Sequence, residues 1–202
     1  MKTRKWWDEQ HVKQNTHLSG HSLTLASNFL KFGKYLKPGS TVLCIGVGNG
    51  TWMDELYKKG IHMYGLDISN ISLSSVKQYC IQTFNTDNMK LLPKDTFDLA
   101  VSFYVAQHME NTQLEEQFKC VFPSLKKRAV FALQYLELLD MAIEPDYNQQ
   151  ITKYPGRIYR SGRQMTSMAY LCGGEVIKTV SDIPSKRLKL REVGIHMQRI
   201  RP

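Results

Sequence analysis

The stretch TVLCIGVGNG, residues 41–50, constrains the fold more than any other part of this chain. An apolar run stops abruptly at a glycine, and glycines recur at alternate positions, Gly46, Gly48 and Gly50. A short, continuous, β-branched run is what a strand buried on both faces of a parallel sheet looks like. Glycines at its end let the backbone take positive φ and let a ligand approach the main chain. The helix expected next offers unpaired N–H groups. A dinucleotide-binding loop reads GxGxxG. Here the spacing is GxGxG followed by Thr51, which suits a ligand with no pyrophosphate to seat on the helix N-terminus. An ordinary tight turn satisfies the same glycines.

The segments around this stretch alternate between strand and helix. Residues 22–36 carry Leu23, Ala26, Phe29, Leu30 and Leu36 at roughly helical spacing, which predicts an amphipathic helix ended by Pro38 and Gly39. GTWMDELYKKG predicts a helix closed by Gly60, IHMYGLD a second strand, and SNISLSSVKQYC a helix capped by Ser69 or Asn70. IQTFNTD and FDLAVSFYV (97–105) read as a third and a fourth strand. NTQLEEQFKCVFPSL reads as a helix, KRAVFALQYL as a fifth strand, and RSGRQMTSMAYLCGG as a further helix. EVIKTVSDI and EVGIHMQRI have no room for a helix between them, so they are expected as antiparallel neighbours. The whole chain, 1–202, reads as a single doubly wound α/β domain with a mainly parallel sheet. Residues 1–36 form an N-terminal arm and helix, and 37–202 the core.

Composition bounds the class. With 202 residues, 42% hydrophobic and 22% charged, the chain is long enough for one full core. No apolar stretch approaches bilayer length, and the basic start lacks the apolar region of a secretory signal. Four scattered cysteines show no metal spacing, and a reducing cytoplasmic setting is expected. The formal net charge is +9, and after residue 125 there are 14 Lys/Arg against 7 Asp/Glu. Such a surface favours anionic partners, although a simple solubilising excess reads the same way.

In a doubly wound sheet, ligands sit beyond the carboxyl ends of the strands. Asp67 ends the second strand and can accept two hydrogen bonds from a ribose diol. It can equally cap the helix that follows. Asp87, Asn88 and Met89 follow the third strand. Asp87 is placed to accept from an exocyclic amine and Met89 to cover a ring face, while an Asp-Asn turn is the plain alternative.

Together VLCIGVGNG, GLDIS, NTDN…LP…TFDLAVS and the closing GGEVIKTV…GIHMQRI resemble the class I S-adenosylmethionine-dependent methyltransferases, from about residue 36 to the end. The resemblance implies a Rossmann-like, doubly wound seven-stranded sheet whose last strand is antiparallel. It implies S-adenosyl-L-methionine as cofactor and S-adenosyl-L-homocysteine as product. By position, Gly46, Gly48 and Gly50 would flank the methionine part, Asp67 would bind the ribose hydroxyls and Ile68 would lie against adenine. Asp87 and Asn88 would bind the adenine edge, and Ser102 and Phe103 would border the methionine moiety. One position departs from the pattern: family members usually carry an acid two residues before the first glycine, and here it is Cys44.

The acceptor side is read from residues leaving the sheet. Tyr104, Gln107 and His108 follow the fourth strand. His108 has the reference pKa of a general base, and Tyr104 stands beside it as a second candidate catalytic residue. His108 can also merely cap the next helix. The segment resembles the "lqH" stretch of small-molecule methyltransferases, including those acting on sugars. The Asn/Asp-Pro-Pro-Tyr/Phe motif of amino-methylating nucleic-acid enzymes is absent, its place taken by SFYV. Trp6, Trp7, His11, His17 and His21 precede the core, where they either fold over the site as a lid or form a packed arm or dimer contact. No carboxylate pattern supports a metal. Trp7, Gln107, Tyr135, Arg157 and Arg160 are the candidate acceptor-binding residues, the arginines as forks for an anionic group or as a solvated surface. The expected activity is methyl transfer to a small hydroxylated or anionic acceptor, a sugar or glycan precursor first. RNA or protein methylation, or a non-catalytic protein of the same fold, are the rivals. Nucleic acid is not the favoured partner, and no membrane partner is expected.

Overall fold

The computed structural model describes residues 3–13, 22–138, 156–185 and 190–200. The described residues form one sheet of seven strands in the order β3-β2-β1-β4-β5-β7-β6. The strands are β1 (Thr41–Ile45), β2 (His62–Asp67), β3 (Cys80–Asn85), β4 (Phe97–Ser102), β5 (Leu125–Leu138), β6 (Gly174–Ser185) and β7 (Leu190–Arg199). The first five pair in parallel, and β7 runs antiparallel to both β5 and β6. The order reverses between β1 and β4, so the loop after β1 opens onto the crevice at the switch point.

Strand alternation sends each β1 side chain to one of two cores. Leu43 and Ile45 join Phe97, Phe118, Phe122 and Phe131 on one face. Val42 and Cys44 join Leu30, Met53 and Val101 on the other. Helices α2 (Leu23–Leu30), α3 (Met53–Lys58), α4 (Asn70–Val76), α5 (Asn111–Ser124) and α6 (Gly162–Leu171) cover the two faces. A further helix, α1 (Arg4–Val12), contributes no residue to either core.

Several boundaries move from the sequence expectation. The helix expected over 22–36 stops at Leu30 because Lys31 takes left-handed backbone at φ 52°. A single 3-10 turn, Gly33–Tyr35, follows. The fourth strand ends at Ser102 rather than at 105, since Tyr104 sits at φ 60° and cannot continue the pleat. Ser69, not Asn70, caps α4, its side chain accepting from the Ser72 amide at 3.2 Å. All four cysteines are free. Among the described residues, no helix is long and apolar enough to cross a membrane.

Candidate active site

The carboxyl ends of β1, β2 and β4 enclose a cavity of about 1260 Å³. That exceeds the roughly 300–1,000 Å³ that holds one drug-sized ligand. It has room for two molecules side by side.

The glycine loop forms one wall. Gly46, Gly48 and Gly50 all have positive φ, at 71°, 56° and 73°. Gly46 and Gly48 border the cavity, and Gly50 does not. A Cβ on Gly46 would lie 2.1 Å from Val105 Cγ2, and one on Gly50 would lie 2.5 Å from Val76 Cγ1. A Cβ on Gly48 would meet nothing within 4 Å, so that glycine keeps open space beside the ligand. Asp67 closes the floor and is 8% exposed. Its two oxygens accept from the Gly48 amide at 3.2 Å and the Ser69 amide at 2.8 Å. Burial raises its carboxyl above the usual range, opposed by those amides and by nearby His11. Each carboxylate oxygen keeps a further lone pair for a ligand hydroxyl. Ile68, Asp87 and Met89 continue the same wall. The residues present thus fit an adenosyl ligand: open space above Gly48, a buried acid beyond it, and an apolar floor at Met89.

Tyr104 and His108 border the same cavity. The Tyr104 amide donates to Gln134 Oε1 at 3.0 Å, and its hydroxyl donates to Glu192 Oε2 at 2.7 Å. Burial and the Glu192 carboxylate push the phenol pKa up, so Tyr104 stays protonated. His108 Nδ1 lies 2.8 Å from the Gly156 carbonyl, which can only accept, so Nδ1 carries the proton in the neutral ring. Nε2 is left as the basic nitrogen, 3.2 Å from the Gln107 amide nitrogen. The Trp7 ring meets the His108 ring edge-on at 5.2 Å.

The cavity therefore gathers Gly46, Gly48, Asp67, Ile68, Asp87 and Met89 at one end. Phe103, Tyr104, Gln107, His108, Trp7 and Arg157 border the rest. Five residues expected at the site lie off it. Gly50 packs behind the loop on Val76. Asn88 is exposed, because the 3-10 turn Thr86–Leu91 aims Met89 inward instead. Ser102 is fully buried in β4, its Oγ without a hydrogen-bond partner. Tyr135 points into the core under α5 and α6, since strand parity gives the other face to Gln134. Arg160 is an internal clasp and no acceptor fork: it donates to Asn111 Oδ1 at 2.8 Å, the Ala106 carbonyl at 2.9 Å and the Met109 carbonyl at 2.5 Å. Its burial lowers the guanidinium pKa to about 10. Cys44 is a fully buried core thiol, its pKa raised by that burial, and it does not border the cavity.

Two participants escape sequence reading. Glu192 comes from β7, 88 residues beyond Tyr104, with no local signal. Arg4 shares a helical face with Trp7 and His11, a spacing of three and four that a helical reading of the N-terminus would have shown. His17 and His21 lie outside the described residues. No group of three or more His, Cys, Asp or Glu residues suited to a metal occurs among the described ones.

Known proteins share this architecture. A family model described as a methyltransferase domain matches residues 17–173. No curated protein matches the chain. Among solved structures, the [4+2]-cyclase SpnF superposes with a TM-score of 0.73 at 11% identity, over 98% of this chain and 95% of that one. A 1,6-didemethyltoxoflavin-N1-methyltransferase from Burkholderia thailandensis, with bound S-adenosylhomocysteine, gives 0.71 at 11% identity over 98% and 87%. An S-adenosylmethionine-dependent methyltransferase from Clostridium acetobutylicum gives 0.67 at 13% identity over 96% and 98%. With the family model spanning most of its length, the chain belongs to the methyltransferase-domain family, and it is a class I S-adenosylmethionine-dependent methyltransferase.

Proposed function

We propose that this enzyme methylates a small hydroxylated acceptor, a sugar or glycan precursor, with an anionic substituent reaching Arg157 at the cavity mouth. The observation that carries this reading is one cavity of about 1260 Å³ whose lining joins the glycine loop and Asp67 to a set of aromatic and polar side chains. One end offers Gly48 and Asp67, the other Trp7, His108, Gln107 and Glu192. An indole face ringed by polar side chains suits a polyhydroxylated ring, which has apolar C–H faces and a hydroxyl rim. S-adenosylmethionine supplies an activated methyl group when bound. Asp67 holds the ribose hydroxyls, Ile68 and Met89 cover adenine, and Asp87 meets the adenine edge. His108, its Nδ1 proton fixed on Gly156, takes a hydroxyl proton at Nε2 once that hydroxyl displaces the Gln107 amide from this nitrogen, and Gln107 and Tyr104 then orient the hydroxyl. The α1 helix excludes water above them. The four free thiols of the protein accord with work in the reducing cytoplasm.

The test is S-adenosylhomocysteine release from S-adenosylmethionine across a panel of sugars, sugar nucleotides and RNA. Turnover with RNA alone, weakening steeply with salt, would replace the small-molecule reading. With the acceptor found, His108→Ala should lower kcat by about a hundredfold or more while sparing S-adenosylhomocysteine affinity. Unchanged kcat would remove His108 as the base.

A further inference from the structure

Tyr104, His108 and Glu192 line the cavity together, and each can offer a ligand only a hydrogen-bond acceptor. The single hydroxyl proton of Tyr104 goes to Glu192 Oε2 at 2.7 Å, so the phenol oxygen presents lone pairs alone. Glu192, a carboxylate, has no proton to give. The Gly156 carbonyl fixes the His108 ring proton at Nδ1, so Nε2 is an acceptor too. The arrangement is built into the backbone. Tyr104 keeps left-handed geometry at φ 60°, which is costly for a tyrosine, and Oε1 of the fully buried Gln134 holds its amide. That turn leaves the phenol on Glu192, which β7 sets beside Leu136 of β5. Arg157, next in the chain to Gly156, adds a cation whose charge reaches Tyr104.

Resting on the reading of a hydroxylated acceptor, we propose that Glu192 is a specificity-determining residue, which requires a second free hydroxyl on the acceptor besides the one methylated. The reacting hydroxyl donates to His108 Nε2, and the second donates to the Glu192 carboxylate beside the Tyr104 oxygen. An ether, a ketone or a carboxylate at the second position has no proton to give, and sets lone pairs against the Glu192 oxygens. A site built to hydrogen-bond a hydroxyl rejects an analogue that lacks it, because the site's own polar group is left unpaired. The Arg157 cation offsets the Glu192 charge, so an ammonium gains no advantage over a neutral hydroxyl. The enzyme therefore acts before any reaction that caps the second hydroxyl.

S-adenosylhomocysteine release tests this with the methyl glycosides of glucose, galactose and mannose, and with their monodeoxy, monoamino and mono-O-methyl derivatives at each ring position. For the glycoside used best, removing or capping one hydroxyl other than the methylated one should lower kcat/KM of the unsubstituted enzyme by about tenfold or more. In Glu192→Ala the parent glycoside should fall to a similar level, and the penalty for losing that hydroxyl should shrink to about twofold or less, its partner being already gone. Glu192→Gln, whose amide oxygen still accepts, should restore most of the selectivity. S-adenosylhomocysteine affinity, read by calorimetry, should hold in both variants and shows that they fold. A penalty undiminished in Glu192→Ala, or no penalty at any second position, overturns the assignment. So does an amino derivative used about tenfold better than its parent, because Glu192 then reads a cation. If none of these sugars is methylated although S-adenosylhomocysteine binds, the sugar reading itself falls, a result told apart because it appears in the unsubstituted enzyme with Glu192 intact.

Discussion

Asp67 is a carboxylate placed where water barely reaches, and its environment sets a measurable behaviour. Its folded pKa lies above the ordinary carboxylate value, so the cost of burying its charge is fully present above that pKa and is relieved as pH falls through it. Ribose hydroxyls need the ionised form as acceptor. S-adenosylhomocysteine affinity should therefore fall on acidification, starting above the pH at which an exposed aspartate titrates, about 3.9. Calorimetry over that range reads this directly, and Asp67→Ala should reduce affinity by about tenfold or more at neutral pH. The glycine loop divides by the same logic. Gly46→Ala forces a Cβ within 2.1 Å of Val105 at a positive φ, and should lower stability by about 2–4 kcal/mol in urea denaturation. Gly48→Ala meets nothing and should cost only about 1–2 kcal/mol, while taking ligand space and weakening S-adenosylhomocysteine binding. Asp67 and these glycines were legible in sequence because each is a local requirement at a strand end. Cys44 was legible only as a departure, and its role as core filler follows from the parity of β1.

At the scale of elements, the segment around Arg160 clasps the loop that carries His108. The Ile158 amide donates to the Gln107 carbonyl at 2.7 Å, and Arg160 takes the Ala106 and Met109 carbonyls on either side. Arg160→Met keeps much of the bulk but removes three charge-assisted hydrogen bonds, and should cost about 2–4 kcal/mol, read as a lowered midpoint in urea. Turnover should fall along with it, since His108 loses its fixed approach. Sequence reading placed Arg160 at the acceptor because a fork among aromatics looks like an anion clamp. The three acceptors it actually serves lie about fifty residues away along the chain and are mostly backbone carbonyls, which carry no sequence signal. The helix over 22–36 failed for a different reason: apolar spacing persists past Leu30 although the backbone turns left-handed at Lys31.

Across the whole molecule, His196 links the sheet to its covering helix. Its Nε2 lies 2.6 Å from the Leu30 carbonyl, so that nitrogen carries the proton, and the Tyr35 ring stands against it at 5.7 Å. Burial lowers its pKa below 6.5, the Leu30 bond works against that, and Lys34 and Lys178 add to it. The unfolded chain therefore binds more protons between the lowered value and 6.5, and stability rises with pH through that window. Melting temperature should hold above about pH 6.5 and decline as pH falls below it, and His196→Gln should flatten the decline. The strand–helix order, the glycine loop and the place of Asp67 after the second strand were determined by sequence alone, because periodicity and glycine placement act over a few residues. Tertiary structure alone decided that Glu192 meets Tyr104, that Arg160 turns inward and that α1 bridges the cavity, because each joins residues 49 or more positions apart whose encounter depends on the order of strands in the sheet.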